Sequence, residues 1–310
     1  MNGIVGNKYL IILAGPTAVG KTSIGIELAK FFDCEIISAD SRQFYKEISI
    51  GTAKPSPQEL DAIKHYFIDS HTISQEYSAG MYEKDVLQLL ERIFSIDDIC
   101  IMVGGSGLFV QAVASGFDEL PAIDLQIRED LNKQFKEEGL ENLLIELKGK
   151  DPAYYDFVDI SNPLRIIRAL EIIRATGIPY SDLRKRNPKP RPFSIIKVGL
   201  EQERIDLYHK INLRVDQMVE AGLLTEVKSV LEYREKPALK TVGYTEIFDF
   251  LDGRYTWNET VELIKRNSRR YAKRQLTWFK KDKEFTWFSP NQIQEIKNFI
   301  RDRMEASMLK

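Results

Sequence analysis

Apolar residues fall along this chain in two rhythms. Short, nearly unbroken apolar runs occur at 9–13 (YLIIL), 34–38 (CEIIS), 99–103 (ICIMV) and 194–200 (SIIKVGL). Runs this short and apolar at almost every position suit parallel strands covered on both faces. HYFID, at 65–69, is a weaker strand candidate. Between these runs the apolar positions recur every three or four residues. TSIGIELAKFF reads as a helix, as does LFVQAVAS. In SAGMYEKDVLQLLERIFS, Met81, Val86, Leu89, Leu90 and Ile93 form one stripe behind Ser78 as N-cap. Alternating strands and helices predict an α/β fold built on a parallel sheet.

After Phe117 the texture changes. From about 124 to 186 the chain is charged and helical in period, with LQIREDLNKQFKEE, ENLLIELKGK and NPLRIIRALEIIRATG as three helices. Pro163 after Asn162 suits a first helical turn, and Gly177 before Pro179 suits a stop. RKRNPKPRPF, at 184–193, is too rich in Pro for a helix or a central strand, so it reads as a linker. SIIKVGL then resumes the strand pattern. The remainder reads as helical, ending in a long basic amphipath from Trp257 to about Lys281. We therefore expect a P-loop-type α/β core beginning at 1–120, a helical insertion at 121–192, and the rest of the core with C-terminal helices at 193–310.

Composition adds exclusions. With 43% apolar and 29% charged residues among 310, a packed core is expected and disorder is not. No apolar run nears the ~18 residues that span a bilayer, and no leader pattern opens the chain, so neither secretion nor membrane insertion is expected. Two cysteines (Cys34, Cys100) and three histidines (His65, His71, His209) make no zinc set. They read as buried thiols of a cytoplasmic protein. The net charge of −2 hides asymmetry: nine Lys/Arg against one acid, Asp282, between Lys265 and Lys283. Such a segment can meet a polyanion locally.

The most specific motif is Gly15-Pro16-Thr17-Ala18-Val19-Gly20-Lys21-Thr22, which matches G-x-x-x-x-G-K-[ST] directly after a strand and before a helix. Glycines let backbone amides converge on a phosphate, Lys21 reaches the outer phosphate, and Thr22 can hold Mg²⁺. The ligand therefore carries at least two phosphates, as a diphosphate or a nucleotide does. A nucleotide-hydrolysing enzyme would place an Asp at the end of an apolar strand. Here ICIMV ends instead in Gly104-Gly105-Ser106-Gly107, and the acid, Asp40, follows the second strand. This points away from NTP hydrolysis, while a small-molecule kinase stays open.

GPTAVGKT, ISADSRQFYKEISIGTAKP, VGGSGLF, NPLRIIRALEI, TVGYTEI and AKRQLTWF follow one another over nearly the whole chain. In this series the sequence resembles the bacterial tRNA dimethylallyltransferases. The resemblance implies a P-loop α/β core with a helical insertion. It implies transfer of a dimethylallyl group from dimethylallyl diphosphate to the exocyclic amine of adenosine at tRNA position 37. It further implies that Asp40 is the general base and that Ser106, where the family usually has Thr, supports the leaving oxygen. Arg214 would lie near the diphosphate, and the P-loop would hold that group with Mg²⁺ rather than ATP.

For tRNA, the resemblance points to Asp40, Ser41, Arg42, Gln43, Ser106 and Arg128, and to Leu164, Arg165, Ile166, Ile167 and Arg168. It also points to Lys240, Thr241, Val242, Gly243, Tyr244 and Thr245, and to Lys273, Arg274, Gln275, Leu276, Thr277, Trp278, Phe279 and Lys280. The family often has Gln where Leu164 stands. In the run RRYAKRQLTWFKK, Trp278 and Phe279 are expected to face the core and Lys273 and Arg274 to face outward. A monomer is expected. The alternatives are an enzyme prenylating free AMP, ADP or ATP, and a P-loop small-molecule kinase. The insertion and the basic helix argue against the first. The Pro-broken Arg184–Arg191 stretch, unlike a lid over ATP, argues against the second.

Overall fold

The computed structural model describes residues 8–118, 124–184 and 188–308. Residues 185–187 of the Pro/Arg-rich stretch, and the boundary expected at 120/121, lie outside the described residues. The chain divides into two compact units, one of residues 1–114 and 191–310 and one of residues 115–190.

The larger unit is built on six parallel strands: β1 (Tyr9–Ala14), β2 (Ile36–Ser38), β3 (His65–Tyr66), β4 (Ile99–Gly104), β5 (Ser194–Leu200) and β6 (Thr286–Phe288), in the spatial order β3-β2-β4-β1-β5-β6. β1 is buried throughout because it is central: Leu13 pairs with Val103 of β4 on one side and Val198 of β5 on the other. Its side chains alternate between two cores. Tyr9, Ile11 and Leu13 pack with Ile24, Leu28, Leu207 and Ile296, while Leu10 and Ile12 pack with Val86, Leu90, Val110 and Phe279. Two helical layers thus explain a strand with no polar position.

Two strands differ from the sequence expectation. β3 stops after two residues because Phe67 and Asp69 take left-handed backbone conformations (φ 62° and 51°), which no strand accommodates. β6 was expected to be helical. TWF instead pairs with 198–200 at the sheet edge, and the C-terminal helix Ile293–Met308 follows it. In β5, Lys197 interrupts the apolar run at a buried site, where it pairs with Asp282 (2.7 Å) and Glu284 (2.5 Å) beside the edge strand.

Cys34 and Cys100 are free and buried. Burial, with Asp97 nearby, pushes the Cys34 thiol up to about 12, so it stays protonated and unreactive. Among the described residues no helix is long and apolar enough to cross a membrane.

The smaller unit has its own core of Leu131, Leu143, Leu147, Ile166, Leu170 and Ile173. The three expected helices are Leu125–Glu138, Glu141–Lys150 and Pro163–Thr176. Asn162 caps the last, its side chain accepting from the Arg165 amide (3.3 Å), and Gly177 ends it in the left-handed region. Two short helices, Pro152–Phe157 and Tyr180–Leu183, complete the unit. Buried Asp151 joins them by accepting from the Tyr154 amide and from both the amide and hydroxyl of Ser181. The chain leaves and returns to the larger unit at neighbouring points. The Lys189 amide donates to the Ser115 carbonyl (2.8 Å), and Arg191 donates to the carbonyls of Ala112 and Val113 and pairs with Glu83.

Candidate active site

The phosphate loop emerges from the C-terminal end of β1, the edge where open parallel sheets gather their ligands. Gly15 is forced by crowding, since a Cβ there would sit 2.7 Å from the Leu200 carbonyl oxygen. Gly20 turns the chain through φ 98° into the helix Lys21–Phe32 and offers no side chain to cap it. The first amides of that helix therefore face the loop interior, as anion binding requires. Lys21 folds back so that its ammonium donates to the Pro16 carbonyl (2.7 Å). Burial pulls its pKa down to about 8; Asp40 opposes that fall and Arg214 adds to it.

Asp40 and Ser106 lie at the ends of adjacent strands. The Ala39 amide donates to the Val103 carbonyl (2.8 Å) and the Ser106 amide to the Ala39 carbonyl (3.2 Å). This approach is close enough that a Cβ on Gly104 would stand 2.2 Å from the Ala39 oxygen. Ser106 Oγ accepts from the Ser41 amide (2.9 Å) and donates to the Ser41 hydroxyl (3.2 Å), so its rotamer is fixed without the methyl of a threonine. An Asp40 carboxylate oxygen accepts from the Arg42 amide (3.1 Å). Gln43 is turned inward, its amide nitrogen donating to the carbonyls of Thr52 and Ala53.

Asp40, Arg42 and Gln43 border a cavity of about 690 Å³. Thr17, Lys21 and Thr22 form one wall, Asp40 and Arg42 a second, and Arg214 a third. Arg214 reaches the Ala53 carbonyl at 3.5 Å; burial lowers its pKa while the Asp40 charge raises it. Ile50, Val215, Met218, Val242 and Ile264 supply an apolar wall. Lys21, Arg42, Lys54, Lys210 and Arg214 with one carboxylate, Asp40, and an aliphatic wall match a short hydrocarbon bearing a diphosphate.

Three residues that sequence reasoning did not place here shape this site. Tyr271 lines the cavity with its hydroxyl beside Ser106; burial, then the charge of Asp40, pushes that phenol up to about 12. Its position one helical turn before Gln275 was the available signal. Gln275, expected among the tRNA contacts, is instead buried, accepting from the Thr17 amide (2.9 Å) and donating to the Gly105 carbonyl (2.9 Å). Glu226 receives the amides of Ser49, Ile50 and Gly51 at 2.7 to 2.9 Å and so fixes the segment that forms part of the cavity wall. An acid in LLTEVKSVLEY carries no local sign of this.

The remaining expected tRNA contacts divide by exposure. Lys273, Arg274 and Thr277 are exposed on the helix Trp257–Phe279, as is Lys280 at its C-cap, and Leu276 is half-buried. Phe279 is in the core as expected, but Trp278 is not. It is 40% exposed and covers Gly107, where a Cβ would meet its ring at 2.2 Å. Lys240 and Thr245 are exposed, Thr241, Val242 and Gly243 border the cavity, and Tyr244 is fully buried. In the smaller unit Leu164 and Arg165 are exposed, while Ile166 and Ile167 are core residues whose side chains offer a ligand no surface. Arg128 and Arg168 both pair with buried Glu171, at 3.1 and 2.9 Å, and stay partly exposed.

Residues 43–282 match the model of the IPP transferase family. The chain is 49% identical to a tRNA dimethylallyltransferase of Cytophaga hutchinsonii over 96% of this chain and 98% of that one. It is 46% identical to tRNA dimethylallyltransferase 1 of Bacteroides fragilis, covering 95% and 98%. Among solved structures it is similar to a full-length tRNA isopentenylpyrophosphate transferase from Bacillus halodurans, with a TM-score of 0.73, 38% identity and coverage of 98% and 99%. A eukaryotic dimethylallyltransferase acting on tRNA superposes with a TM-score of 0.71 at 28% identity, over 88% of this chain and 70% of that one. The chain belongs to the IPP transferase family.

Proposed function

We propose that this protein transfers the dimethylallyl group of dimethylallyl diphosphate to the N6 amine of adenosine 37 in tRNA. The observation that supports it most is the convergence of Lys21, Arg214 and Asp40 on one cavity with an aliphatic wall, with Ser106 held at the adjacent strand end by the Ser41 amide. The N6 lone pair attacks C1 of the allyl group and the C1–O bond breaks, its electrons passing to the diphosphate. Asp40 accepts the N6 proton, because an adenine amine is a weak nucleophile until that proton is shared. Ser106 Oγ faces the bridging oxygen, and Lys21, Arg214 and the helix amides stabilise the charge that develops there. The products are N6-(dimethylallyl)adenosine and diphosphate.

The donor set fits magnesium bound mainly through substrate. Among the described residues no three His, Cys, Asp or Glu gather as a metal cage. Thr22, at the start of the helix and on the cavity wall, supplies one hydroxyl, and magnesium commonly takes one or two protein ligands beside phosphate oxygens and water. When bound there it neutralises charge on the leaving diphosphate.

Family membership sets the kinase alternative aside, and relatives named for tRNA weigh against free adenylate. The exposed cations of the helix Trp257–Phe279 and of the insertion supply phosphate contacts, and Arg128, Arg165 and Arg168 belong to that set. Two free, buried thiols suit the cytoplasm. Labelled dimethylallyl diphosphate is offered with bulk tRNA, with AMP, and with ATP plus metabolites. Label in tRNA alone, without ADP release, is expected; label in AMP, or ADP released with product, overturns the proposal.

A further inference from the structure

The helix Trp257–Phe279 turns one stripe inward and another outward. Outward are Lys273 and Arg274. Inward, one helical turn apart, are Tyr271 beside Ser106 and Gln275 against Thr17 and Gly105, and Trp278, 40% exposed, lies on Gly107. This stripe touches both loops that handle the leaving group, the phosphate loop and the segment 104–107. Of these three residues, Gln275 hydrogen-bonds to both loops. It is 6% exposed, and each end of its carboxamide makes a 2.9 Å hydrogen bond, one to each loop. A Cβ on Gly105 would stand 2.3 Å from its Nε2, so the carboxamide packs directly on that glycine.

We infer that Gln275 is a positioning residue of the transfer reaction, which sets the separation of the phosphate loop and Ser106 and reserves the Thr17 amide for itself. Two consequences follow from the geometry. The Thr17 amide, already committed, is not a diphosphate donor, so the anion is held by the loop amides beyond it together with Lys21. The hydroxyl of Ser106 stays at a fixed distance from the anion, which matters because misplacing a catalytic group by about 1 Å can cost about 100-fold in rate. Because this residue sits on the helix whose opposite stripe is basic, it does not act as a tRNA contact itself.

The inference rests on the proposed prenyl transfer, and its test separates the two. Wild type is first assayed with labelled dimethylallyl diphosphate and tRNA; no transfer there refutes the function and not the role of Gln275. Gln275→Met keeps length and volume but neither hydrogen bond. We expect kcat to fall about 10–100-fold, with anticodon stem-loop affinity within about twofold of wild type. We also expect the penalty of Ser106→Ala to shrink in the Gln275→Met background, since an unplaced hydroxyl has little left to lose. Gln275→Glu retains the acceptor for Thr17 and regains the donor to Gly105 only when protonated. Its activity relative to wild type is therefore expected to rise as pH falls from about 8 to about 5.5, a readout that mere loosening of the fold does not give. Wild-type kcat in Gln275→Met, additive penalties with Ser106→Ala, weakened stem-loop binding with kcat intact, or a flat pH ratio in Gln275→Glu overturns it.

Discussion

The Tyr244 hydroxyl donates to Glu226 Oε1 at 2.6 Å, while its ring lies over Gly51 so closely that a Cβ there would come within 2.6 Å of the ring. The same carboxylate gathers the amides of residues 49–51, so one acid ties helix, aromatic core and cavity wall together. Glu226→Gln replaces an acceptor with a donor that faces those amides. It is expected to cost about 1–3 kcal/mol in denaturant unfolding and to raise KM for dimethylallyl diphosphate severalfold. Gly51→Ala, which drives a methyl into the ring, is expected to destabilise by about 1–3 kcal/mol in the same assay. Unchanged unfolding curves for both variants would separate this cluster from the stability of the wall.

Asp40→Asn retains shape and the hydrogen bond from the Arg42 amide but cannot take a proton. Transfer to tRNA is expected to fall about 10²–10⁴-fold while dimethylallyl diphosphate still binds. Single-turnover transfer and ligand titration on one preparation check it. Near-normal turnover would remove Asp40 as base.

Lys21 gives the site a pH dependence of definite sign. Its pKa of about 8 in the free protein means that the ammonium is present below that value and lost above it. Diphosphate favours the charged form, so affinity is expected to fall as pH rises through about 8, by up to about tenfold per unit. Lys21→Arg, charged throughout, is expected to abolish the step. Titrations of dimethylallyl diphosphate across this range decide the matter.

The double variant Lys273→Ala/Arg274→Ala, and separately Arg128→Ala, is expected to weaken anticodon stem-loop binding. Each lost phosphate contact flattens the salt dependence by roughly one unit of slope. Binding of dimethylallyl diphosphate stays at the wild-type level. Equal salt slopes in wild type and variants would make these cations a solvated face.

What the sequence made legible was local. β1, the phosphate loop and its helix follow from an apolar run, two glycines and a 3.6-residue period within about twenty residues, as do the caps Ser78 and Asn162. What stayed hidden depends on partners far along the chain. β6 is three half-buried residues that become a strand only because β5 offers an edge. Trp278 fell outside the core because residues 271, 275 and 279 already fill the inward stripe, leaving it over Gly107. Glu226 and Gln275 act on loops more than 150 residues away, where periodicity has nothing to say.

The path of the chain at 112–115 and 189–191 has an evolutionary consequence. Because the two crossing segments are already stitched together, by Lys189 to Ser115 and by Arg191 to Ala112 and Val113, the sheet does not register how much polypeptide hangs between them. The entropic cost of closing that span grows only as the logarithm of its length. Selection can therefore lengthen, trim or replace the 115–190 unit without retuning the phosphate loop.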